Sequence, residues 1–70
     1  MSLSLLDASA ESTLAQSPVP SLRTLRVTES ATEVVITGSV STYYHKQLAQ
    51  EAVRPLLGGR QLRNRVTVTN

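Results

Sequence analysis

Few side chains in this sequence could make or break a bond. His45 is the sole histidine, and cysteine is absent. A metal centre needs several nitrogen, sulfur or oxygen ligands converging on one point. One imidazole and the scattered acids Asp7, Glu11, Glu29, Glu33 and Glu51 do not make such a set. A nucleophilic triad would need a serine beside His45 and a carboxylate, yet no Gly-x-Ser-x-Gly turn is present. Gly58-Gly59 lacks a following Lys-Ser or Lys-Thr, so it is no phosphate-binding loop and reads as a helix terminator. No paired carboxylates stand at a spacing suited to acid–base work. The expectation is a protein that is not an enzyme, with no catalytic residue, no metal and no cofactor. His45 is expected at the amphipathic edge of a helix.

What remains is the chemistry of surfaces. Arg26, Lys46, Arg54, Arg60, Arg63 and Arg65 are candidate contacts to an anionic surface, with Arg23 extending the set. Tyr43 and Tyr44 are candidate interfacial aromatics, because tyrosine suits a boundary between apolar and polar phases. Adjacent positions on a helix diverge, so the two rings cannot both face a core. The competing readings are a solvated basic face, and one ring laid over a sheet edge. Nucleic acid is disfavoured: the expected sheet face bears Thr and Val rather than stacking aromatics, and no Gly-x-x-Gly loop joins two helices. Gly38 and Asn64 read as structural. Gly38 leaves an inward position without a side chain so that a helix can pack close. Asn64, inward and polar, is expected to satisfy backbone groups near the core.

These residues must be held by a small set of elements. Residues 3–16 have helical spacing, with Leu3, Leu6, Ala10 and Leu14 on one face and a Ser4–Asp7 capping box. Ser17-Pro18-Val19-Pro20 ends that helix as a stiff connector. Residues 22–28 read as a strand with Leu25 and Val27 inward, followed by a polar turn over residues 29–33. Residues 34–40 are the most strand-like run, alternating Val34, Ile36 and Val40 with Val35, Thr37 and Ser39. Ser41 or Thr42 caps a second long helix that runs to about Leu57. His45, Leu48, Ala49, Ala52, Val53 and Leu56 form its stripe, and Pro55 forces a kink or an early end. Residues 61–68 form the last strand, with Leu62, Asn64, Val66 and Val68 on one face.

The resulting fold class is α+β, in the order αββαβ: a three-stranded mixed sheet with two helices packed on one face. The other face stays open, bearing Arg26, Thr37, Arg63 and Arg65. Seventy residues allow a single domain, residues 1–70, with the first helix and connector in 1–21 and a ββαβ core in 22–70. The chain has no Phe and no Trp, so its core is aliphatic. The net charge of +2 favours an anionic partner only mildly. No apolar run approaches the roughly 20 residues of a membrane span, and no signal peptide is read at the N-terminus.

Two runs carry a family resemblance. One is Val34-Val35-Ile36-Thr37-Gly38-Ser39-Val40-Ser41. The other is Leu62-Arg63-Asn64-Arg65-Val66-Thr67-Val68. With Leu25-Arg26-Val27 ahead of them and Lys46, Ala49 and Val53 between, they resemble a BON domain, the module named for bacterial osmotically inducible and nodulation proteins. The turn at residues 29–33 lacks the Gly often found there, and Gly58-Gly59-Arg60-Gln61 replaces the usual short connection. The resemblance implies a non-catalytic module that attaches a larger bacterial protein to phospholipid surfaces or cell-envelope components. It implies a periplasmic or envelope location, in single or tandem copies. The alternative is a protein–protein interaction, oligomerisation or ligand-sensing domain.

Overall fold

The computed structural model of this protein describes residues 9–69. Leu3, Leu6 and the Ser4–Asp7 box expected in the first helix lie outside the described residues. Helix α1 spans Ala10–Ala15. Ser9 caps it: its extended backbone aims Oγ at the N–H of Ser12, which donates to it at 3.1 Å. Ala10 and Leu14 are buried, as their spacing predicts.

The connector departs from expectation. Pro20 does not merely end a helix; it starts a second one, α2, Pro20–Arg23. Proline suits that first position, because its φ is already helical and the N–H it lacks would have had no partner. The strand expected from residue 22 therefore begins at Arg26. Leu22 is buried on α2 instead, and Leu25 is buried just ahead of the strand.

Strand β1 (Arg26–Glu29) pairs antiparallel with β2 (Glu33–Thr37). The hairpin closes without glycine because Ser30 does the work. Its N–H donates to Glu33 O at 2.9 Å, and its Oγ accepts from the N–H groups of Thr32 and Glu33. The chain passes through β3 (Ser39–Val40) into helix α3 (Tyr43–Val53). Strands β4 (Gln61–Asn64) and β5 (Thr67–Val68) follow. The sheet order is β1-β2-β4, with β4 parallel to β2, so the three-stranded sheet is mixed. A separate parallel pair joins β3 to β5.

The two expected long strands are thus each broken once. The offset between them is nevertheless the same on both sides of the break: Glu33 lies beside Gln61 and Ser39 beside Thr67. They form one parallel ribbon that bends at Gly38, where φ is +129°. A Cβ there would lie 2.7 Å from Leu25 Cδ2. The close neighbour is therefore Leu25, not a helix as the sequence suggested.

Helix α3 starts at Thr42, whose Oγ1 accepts from the His45 N–H at 3.1 Å. Pro55 ends it early: a 3-10 turn takes over at Arg54–Leu56. Gly58 and Gly59, both at positive φ, then turn the chain toward β4. Ala49 and Val53 of α3 join Ala10 and Leu14 of α1 over Val34 and Ile36 of β2, and Val40 and Val66 extend the same core. Both helices thus cover one sheet face. Burying Val34 and Ile36 completely is worth about 2 kcal/mol each. Val68, on β5 of the small two-stranded pair, departs from its expected inner place and is 37% exposed.

Candidate docking surface

The strand register sorts the polar residues by face. Arg26 stands opposite Thr37, and Val35 has Thr28 on one side and Arg63 on the other. These residues form the face that the helices do not cover. Arg65 joins them: its N–H donates to Ile36 O at 2.9 Å, one step beyond Asn64, whose own side chain reaches the helix side. Arg26, Thr37 and Arg65 therefore make one exposed row across the end of the sheet.

The six sequence-predicted cations differ in their partners. Arg54 Nη2 donates to Glu51 Oε2 at 3.2 Å on the exposed face of α3. Arg63 Nε donates to Glu33 Oε1 at 2.8 Å. Arg60 is the most committed. It donates to Glu29 Oε1 at 3.0 Å, to Ser30 O, and to the carbonyls of Leu56 and Leu57 at the end of the 3-10 turn. Among the described residues, Arg26, Lys46 and Arg65 have no acidic partner. Arg23 likewise meets only carbonyls, those of Ser17 and Pro18.

Both tyrosines lie outside the core. Tyr43 is 65% exposed and Tyr44 66%. Tyr44 lies beside the His45 ring, with centroids 5.7 Å apart. His45 is half-buried, and its Nδ1 is 3.1 Å from Thr42 Oγ1, so the ring completes the helix cap. Asn64 uses its whole amide. Nδ2 donates to Lys46 O at 3.0 Å and to Gln50 Oε1 at 3.3 Å, while Oδ1 accepts from the Val66 N–H at 3.2 Å. It ties β4 to α3 and pairs a backbone donor just where the strand breaks.

Glu29 is the residue whose role the sequence reading missed. Its Oε2 accepts from the Ala10 N–H at 3.2 Å while Oε1 holds Arg60, so one carboxylate joins β1, α1 and the end of α3. The signal was available, because alternation from Leu25 and Val27 puts Glu29 on the inner face. A carboxylate there needs partners.

No pocket is present among the described residues, and no three of their His, Asp and Glu residues gather as metal ligands would. No described helix is long and apolar enough to cross a membrane. What the geometry offers is an open, partly cationic sheet face and, in the first turn of α3, two exposed phenol rings.

No curated protein and no solved structure matches the chain. The family model described as "BON domain" matches residues 2–70. With the match covering nearly the entire sequence, and with a mixed three-stranded sheet roofed by helices, the chain belongs to the BON domain family.

Proposed function

We propose that this domain is a non-catalytic docking module that attaches a larger bacterial protein to anionic phospholipid surfaces of the cell envelope. Family membership supports a binding role. The observation that carries the anionic preference is the set of cations, Arg26, Lys46 and Arg65, that lack an acidic partner among the described residues. Each basic residue held near an anionic leaflet contributes about 1 kcal/mol, so one copy binds weakly and reversibly. Arg54, Arg60 and Arg63 belong to the same surface proposal only in a secondary role, since their charge is already shared with Glu51, Glu29 and Glu33.

Co-sedimentation with vesicles tests this. The chain is expected to pellet with anionic vesicles, to stay in solution with neutral ones, and to be released by salt. Equal pelleting on both, or none on either, rules the reading out.

A further inference from the structure

We infer that the domain docks end-on, with the pole bearing Tyr43, Tyr44, Arg26 and Arg65 against an anionic bilayer and the β1–β2 hairpin pointing away. This rests on the docking reading above and adds an orientation to it.

The chain path defines the two poles. Strand β2 runs from the hairpin turn to Thr37, and the chain continues through β3 to Thr42 before α3 turns back. Beyond the far end of α3, Arg60 touches Ser30 O, and Gln61 N–H donates to Thr32 O at 3.0 Å. The hairpin turn and the end of α3 therefore share one pole. The end of β2 and the first turn of α3 share the other.

Charge divides along the same axis. Every described glutamate belongs to the hairpin half. Glu29 and Glu33 border the turn, and Glu51 lies in the last turn of α3. Glu11 follows Ala10, whose N–H meets Glu29. Three of these four hold an arginine there. At the opposite pole, Arg26 and Arg65 flank Thr37, and Lys46 stands in the first turn of α3. No described acid offsets them. Both tyrosines of the chain stand at this same pole, each about two-thirds exposed. Cations that meet headgroup phosphates, combined with tyrosines that sit at headgroup level, match an anionic lipid surface. A purely electrostatic partner would use the arginines and leave the phenol rings idle.

The absence of cysteine makes orientation directly measurable. Exposed Ser41 lies at the tyrosine pole and exposed Ala31 at the hairpin tip. Ser41→Cys and Ala31→Cys variants, each carrying one fluorophore, are bound to anionic vesicles that contain a lipid-borne quencher. Strong quenching at position 41 and little at 31 is expected. Equal quenching, or more at 31, with pelleting intact overturns the orientation and leaves the docking reading standing. Failure of the unsubstituted chain to pellet overturns both.

A second arm compares two folded variants of equal net charge. Arg26→Gln/Arg65→Gln should lose about fivefold in affinity per arginine. Arg54→Gln/Arg63→Gln should lose less than about twofold in all, because those charges are already shared with Glu51 and Glu33. Equal losses overturn the inference. So does unchanged affinity in Tyr43→Ser/Tyr44→Ser, which would mean that charge alone is being read.

Discussion

Gly38 and Asn64 show how single residues hold the ribbon together. At Gly38 the backbone φ of +129° is open only to glycine, and a Cβ would also press on Leu25. Gly38→Ala is expected to cost about 1–3 kcal/mol, read as a lower midpoint in urea unfolding. Leu25→Ala in the same chain should not restore it, because the strain lies mostly in the backbone. Asn64→Ala removes three hydrogen bonds and leaves the Val66 N–H and the Lys46 carbonyl partly buried without that partner. The expected loss is again about 1–3 kcal/mol in urea unfolding. Asn64→Asp, which keeps only the acceptor toward Val66, should not recover it. The importance of both positions was legible in the sequence, as a residue without a side chain and a polar residue on an apolar face. What each one touches was not legible, since contacts between distant segments depend on how far the chain bends at Gly38.

Helix ends, rather than helix middles, decide the elements. Thr42 holds the first turn of α3 through the His45 N–H, so Thr42→Ala should cost about 1 kcal/mol and Thr42→Ser close to nothing, as measured by thermal unfolding. Alternation and helical spacing are local properties, which is why the presence and order of β2, α3 and the hairpin were readable, although the strand expected over 34–40 breaks at Gly38 and the helix expected to about Leu57 ends at Val53. Proline is ambiguous in the same local terms: it breaks a helix from within and starts one from its first position. That ambiguity hid α2 and shifted the start of β1 from 22 to Arg26. Arg60 was readable as a cation but not as the cap of α3. Its partners Leu56 and Leu57 stand at the end of the 3-10 turn, where Gly58 and Gly59 at positive φ turn the chain away.

At the scale of the whole molecule, the separation of charge could not be read from a net value of +2. It arises because Glu29 and Glu33 border the turn and Glu51 lies in the last turn of α3, whereas Arg26 starts β1, Arg65 follows the end of β4 and Lys46 lies in the first turn of α3, and the topology gathers these two sets at opposite ends. A weak, oriented contact of this kind gains most from repetition. Two copies joined by a flexible linker should bind anionic vesicles at least about a hundredfold more tightly than one, measured by co-sedimentation at fixed lipid. A linked pair that binds no better than a single copy would mean that both poles cannot reach the same surface.

The constant offset between the two halves of the bent ribbon also governs how the chain can reach this state. Parallel neighbours cannot zip from a tight turn, so the partners β2 and β4 meet only across the whole of the intervening segment. Closing that gap carries a loop-entropy cost, which ordering α3 lowers by a few tenths of a kcal/mol, about what the slow growth of closure entropy with length allows. Weakening the helix is therefore expected to slow refolding, whereas damage confined to the β5 end of the ribbon is expected chiefly to hasten unfolding, both read from stopped-flow folding and unfolding rates.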